Sequence, residues 1–184
     1  MKCKNERGFT VIEVSLVLAI AGLIFLMIFI ALPALQRTQR DAARRDDIMS
    51  FLKEVKSFQT NNRGTLPIGG SGVTNYEWGS DAISNAANAS WGGFFRDYLG
   101  EDFVDPDGVH YNLAVMKCGA AKVDDECTAS DVIGLEDKAF PNNYNLLIVT
   151  QSTCYGDKAV GVANPRKIAV LYRLEGAGVY CANT

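Results

Sequence analysis

The hydrophobic pattern divides the chain into three textures. From Val14 to Leu35 runs a stretch of 22 residues without a formal charge, and Phe9 to Ile12 extends it toward the N-terminus. As a helix that run is about 33 Å long, enough to cross the hydrocarbon core of a bilayer. Gly22 and Pro33 interrupt it. Proline removes a backbone hydrogen bond and crowds the preceding turn, so a bend near Ala31–Leu32 is expected. Gln36 to Asp47 is polar on every side and predicts a helical stalk outside any packed core. An apolar stripe then appears at Ile48, Phe51, Leu52, Val55 and Phe58, with spacings of three and four that predict a helix face against a sheet. Asn61-Asn62-Arg63-Gly64, with Pro67 beyond, ends that helix with Gly in the capping position.

The rest of the chain is less periodic. Residues 68–93 are rich in Gly, Ser, Asn and Ala and predict a long surface connection, pinned by Tyr76, Trp78 and Trp91. Phe94, Phe95, Tyr98 and Leu99 have helical spacing. Asp105-Pro106-Asp107-Gly108 is a turn on chemical grounds, after which Val109, Tyr111, Leu113 and Val115 alternate as a strand. Lys117 to Lys138 is an acidic loop. Tyr144–Thr150 and Lys167–Leu174 are β-branched and aromatic and predict two strands. After a turn at Glu175–Gly178, Val179-Tyr180-Cys181 runs back along the sheet.

Glu13 stands out because it lies just inside the apolar run. A carboxylate at mid-bilayer costs about 2.5–3.5 kcal/mol on insertion scales, so it calls for a positive partner. A cut between Gly8 and Phe9 would create an α-amino group four residues away. A short basic leader ending in Gly8, then Phe9-Thr10-Val11-Ile12-Glu13 and an apolar helix, resembles the class III signal of type IV prepilins and pseudopilins. The resemblance implies that a membrane-bound prepilin peptidase cuts after Gly8 and that Phe9 becomes N-methylated. It also implies that Glu13 pairs with the Phe9 amine of a neighbouring subunit during assembly, and that the helix loosens between Gly22 and Pro33. Here the proline lies a few residues further along than in the best-known pilins. The plain alternative is a single-span anchor that carries an acid near one interface. A secretory signal peptide fits poorly, because its apolar region is shorter and ends in an Ala-x-Ala-like site.

The resemblance organises the chain as leader 1–8, membrane and filament-core helix 9–35, helix continuation 36–63 and head 64–184. It implies an α+β, type IV pilin-like fold, with a long N-terminal helix packed on a small antiparallel sheet. The function implied is that of a pilus subunit supporting adhesion or twitching motility. A pseudopilin of a secretion or DNA-uptake system is the alternative, and a membrane-tethered binding domain that never polymerises is a third. The implied partners are other copies or other pilins, the peptidase, an inner-membrane assembly platform and, before assembly, the membrane itself. The N-terminus would then be cytoplasmic and the head extracytoplasmic, later part of an extracellular filament.

Charge is unevenly spread. Residues 1–63 carry ten basic and six acidic groups, net +4, while residues 64–184 carry eight and fifteen, net −7. An acidic head argues against nucleic-acid binding by the head itself. Arg37, Arg40, Arg44 and Arg45 are candidates to meet acids on neighbouring subunits or lipid headgroups, with a solvated face as the plain reading. Lys and Arg flank the apolar run on both sides, so charge alone does not orient it.

Of five cysteines, Cys3 lies in the leader and Cys118, Cys127, Cys154 and Cys181 lie in the head. An even number in an exported domain predicts two disulfides. Three pairings are open. Cys118–Cys127, closing a local loop, and Cys154–Cys181, tying down the C-terminal region, are preferred. The second span resembles the disulfide-bounded C-terminal region of pilins. Asp102, Asp105 and Asp107 offer hard oxygens to calcium but lack EF-hand spacing, and a plain turn is favoured. With a single His and no phosphate-binding loop, the chain presents no catalytic constellation, and no enzyme or cofactor is expected.

Overall fold

In the computed structural model the described residues are 8–69, 74–76, 80–100, 103–118, 127, 146–175 and 178–184. Leader residues 1–7 with Cys3, Trp78, Asp102 and most of the acidic loop lie outside them. The chain divides into two compact units, Met1–Gln39 and Arg40–Thr184. Helix α1, Val11–Asn61, contributes to both.

In the first unit α1 is helical through Gly22 and Pro33. It presents a window of mean hydropathy 3.0, none of it buried. That single helix is long and apolar enough to cross a membrane.

The second unit is a head built around a five-stranded sheet. Its strands are β1 (Thr74–Tyr76), β2 (Leu113–Lys117), β3 (Leu146–Thr150), β6 (Ile168–Leu174) and β7 (Gly178–Asn183), adjacent in that order. The sheet is mixed rather than wholly antiparallel, because β2 and β3 run parallel with Leu113 opposite Leu146 and Val115 opposite Ile148. Parallel neighbours need a long crossover, and residues 118–145 supply the length. Strand β2 also begins later than the alternation predicted, since Val109 belongs to the preceding turn and is exposed.

Both faces of the sheet are covered, with alternate residues going to opposite sides. On one face Leu113, Val115, Leu146, Ile148, Ile168 and Val170 meet the α1 stripe Ile48, Phe51, Leu52, Val55 and Phe58. Trp91, Phe94 and Phe95 complete that core, and Phe94 stands edge-on to both Phe51 and Phe58 at 5.7 Å. These aromatics come from short helix α3 (Trp91–Phe94) and the π-helical turn Phe95–Leu99 that follows it. Helix α2 (Asp81–Ser84) precedes them. Ser90 caps α3 by accepting from the Gly93 amide. Gly93 packs so closely that an added Cβ would sit 2.3 Å from the Ala87 carbonyl oxygen.

On the opposite face Ala114, Met116, Leu147, Val149, Ala169 and Leu171 pack under a hairpin, β4 (Ser152–Tyr155) and β5 (Lys158–Gly161). This hairpin is an addition to the strands expected from the hydrophobic pattern. Gln151, a non-glycine residue at φ 60°, turns the chain out of β3 into β4. Its amide donates to the Lys167 carbonyl at 2.8 Å, which holds the turn against β6. Gly156-Asp157, a two-residue hairpin signal, makes the tip.

Helix α1 closes in a Schellman turn, with the Gly64 amide donating to the Gln59 carbonyl at 2.6 Å. The left-handed residue that ends the helix is Arg63 at φ 55°, with Gly64 at φ 78° one position beyond.

Candidate functional site

Two arrangements carry chemistry. The first is the start of α1. Residues 8–10 lie outside the helix, and Phe9 is 88% exposed, so the Gly8–Phe9 bond sits in non-helical chain. Thr10 and Glu13 form a capping box. The Thr10 amide donates to Glu13 Oε2 at 2.9 Å, and the Thr10 hydroxyl donates to the same oxygen at 2.8 Å. In return the Glu13 amide donates to Thr10 Oγ1 at 3.3 Å. Glu13 Oε1 carries no hydrogen bond among the described residues. The acid thus has one oxygen held by its own helix start and the other open. Thr-x-x-Glu is a helix start signal visible in the sequence itself. Along the apolar run Gly22 has open space where a Cβ would sit.

The second arrangement lies in the head. Arg44 is 3% exposed and makes five hydrogen bonds to four carboxylates. Its Nε and Nη2 grip both oxygens of Asp105 at 3.0 and 2.8 Å. Nη2 also donates to Asp107 at 2.7 Å, while Nη1 donates to Glu175 at 2.6 Å and to Asp41 at 3.2 Å. Arg40 closes the ring through a two-bond fork on Glu175 at 2.8 and 2.7 Å. Tyr172 donates to Asp105 at 3.0 Å, and Tyr111 donates to Asp47 at 2.7 Å.

The charges respond to one another. The hydrogen bonds that Arg44 donates to Asp105 raise the guanidinium further, against the cost of its burial. Burial pushes Asp105 up, but Arg44, the Asp107 amide and Tyr172 outweigh it and leave the carboxyl below its ordinary range. Arg40, with Arg44 behind it, pulls Glu175 from 4.5 to about 2. Burial, with the neighbouring Asp47, raises the Tyr111 phenol well above 10, so it remains a donor.

This cluster overturns one expectation. From Arg40 onward the charged stretch belongs to the head instead of forming a stalk outside it. Asp105 and Asp107, considered for calcium, spend their oxygens on a guanidinium, and Asp102 lies outside the described residues. No group of three or more metal-type ligands occurs among the described residues. The turn itself is present, with the Gly108 amide donating to the Asp105 carbonyl at 2.7 Å and Gly108 at φ 81°.

The four head cysteines form two disulfides, Cys118–Cys127 and Cys154–Cys181, both beside the second core. Cys154–Cys181 fastens the β4–β5 hairpin to strand β7.

Residues 3–29 match the family described as the prokaryotic N-terminal methylation motif. The chain therefore carries the class III prepilin signal of type IV pilins and pseudopilins, and the motif with this α+β architecture supports that class of protein. Proteins of this class are structural subunits that a prepilin peptidase processes and that co-assemble. One long apolar N-terminal helix fits a single-pass, membrane-anchored subunit. The chain matches no curated protein, and no solved structure matches it.

Proposed function

We propose that this chain is a subunit of a type IV pilus or pilus-like filament. The prepilin peptidase cuts it after Gly8, Phe9 is N-methylated, and an inner-membrane platform inserts it into a fibre that supports adhesion or twitching motility. The N-terminus starts in the cytoplasm and the head lies outside.

The observation that carries this reading is the bare first half of α1. Eighteen large apolar side chains between Phe9 and Leu35 are exposed. Burying each one stabilises by about 1.5–3 kcal/mol, so together they represent on the order of tens of kcal/mol that water cannot offer. Lipid satisfies them before assembly, and the helices of neighbouring subunits satisfy them afterward. Glu13 is the one formally charged side chain on that surface, so it distinguishes one axial stagger from another most strongly. Its open Oε1 accepts the Phe9 amine of a neighbour, and a mis-staggered copy leaves the acid buried without a counter-ion. The loosening of α1 between Gly22 and Pro33 on assembly belongs to the same proposal.

Glu13→Ala tests it. We expect normal cleavage of the variant and loss of filaments from sheared surface material, measured by immunoblot. Wild-type filament yield from Glu13→Ala would refute the role given to the acid.

A further inference from the structure

The head carries opposite charge at the two ends of its segment of α1. Around Arg44, four carboxylates (Asp41, Asp105, Asp107 and Glu175) share two guanidiniums, an excess of two negative charges. Asp107 is the most open of them, its side chain 51% exposed. Twelve residues later, about 18 Å along the helix, the sign reverses. Lys56 and Gln59 of α1 line a pocket of about 320 Å³ together with Gly64, Asn164, Arg166, Lys167 and Thr184, and Lys167 Nζ donates to the Thr184 main-chain oxygen, which leaves Lys56 and Arg166 as the open cations. No Asp or Glu lines it. The pocket is built rather than incidental. Gln59 Nε2 donates to the Arg166 carbonyl at 2.8 Å, and the Arg166 guanidinium lies over Gly64, 3.4 Å from where a Cβ would stand. Lys56 and Arg166 have no ion pair among the described residues.

The geometry points to this pocket as the docking site for the acidic cluster of a second copy of the chain, with Asp107 as the leading carboxylate. Charge complementarity selects that occupant. The pocket concentrates cations, and the cluster of four carboxylates on two guanidiniums lies at the opposite end of the same segment of α1. Such a contact joins two different patches, so it does not close on itself as a two-fold dimer does. It repeats head to tail, the geometry of an open helical array. Matched charge then sets register and suppresses wrong neighbours. The inference rests on the filament reading above and adds a second contact, in the head, to the one made by Glu13.

The test uses full-length chain assembled in cells, with subunits labelled half in ¹⁴N and half in ¹⁵N before shearing. Zero-length carbodiimide cross-linking joins an amine only to a carboxylate in direct contact. We expect mixed-isotope links from Lys56 to peptides containing Asp107 or Glu175. The double variant Lys56→Gln, Arg166→Gln should mature normally yet lower filament yield about tenfold at low salt, with the difference from wild type narrowing as salt screens the wild-type contact. Wild-type filaments that lack these links, or whose Lys56 links to acids elsewhere, overturn the inference and leave the filament reading standing. So do wild-type filaments whose pocket binds only inorganic phosphate and whose yield survives the double variant. A wild-type chain that forms no filaments at all sinks both.

Discussion

Burying a guanidinium against carboxylates costs desolvation on every group, and Arg44 offsets that cost with its five hydrogen bonds. Removing only the cation leaves Asp105, itself buried, without a counter-charge. Arg44→Met should therefore destabilise the head by about 3–5 kcal/mol in urea unfolding, and a loss under about 1 kcal/mol would contradict the assignment. Gly93→Ala should also destabilise, because its Cβ would meet backbone at Ala87 that cannot swing away. An unchanged melting temperature would show that the α2–α3 connection yields. At the other end of the chain, Gly8→Val should block processing, read as a mature mass that retains the leader.

How much of this was legible depended on how local each feature is. The Phe9–Glu13 motif, the apolar run and the stripe from Ile48 to Phe58 are contiguous or periodic, so short-range reasoning reaches them. The partners of Arg44 are not: Asp105 and Glu175 lie 61 and 131 residues away in sequence. A polar stretch without an apolar stripe looks like a solvated face unless those distant acids are known. The β4–β5 hairpin had a local signal in Gly156-Asp157, but its strands are only four residues each and sit between stronger neighbours.

Among elements, α1 is fastened to the head by two unlike devices, an apolar stripe and an ionic ring, and these respond differently to pH. Glu175 has its carboxyl lowered from 4.5 to about 2, and Asp105 is lowered from 3.8. A lowered carboxylate stabilises fully above its unfolded value, and that contribution is lost as pH falls through the folded one. Head stability should thus drop between about pH 4.5 and 2, and Arg44→Met should flatten the dependence. A thermal-unfolding series against pH reads this directly, and a flat wild-type profile over that window would contradict it. The disulfides differ in expected weight. Cys154–Cys181 spans 27 residues and Cys118–Cys127 spans 9. Loop-closure entropy gives about 3.6 and 2.7 kcal/mol respectively. Replacing Cys154 and Cys181 with Ser should cost more stability than replacing Cys118 and Cys127, and the reverse order in chemical unfolding would count against the entropic account.

For the whole molecule, the proposed function rests on a surface that water cannot satisfy and on one acid in it that calls for a counter-ion. On the proposed function the acid's partner arises only when the leader is removed, which would make maturation and assembly a single ordered process. Mass spectrometry of the N-terminus of subunits from sheared surface filaments tests this most directly. The account predicts a chain that begins at N-methylated Phe9. Filament subunits that still begin at Met1 would contradict it.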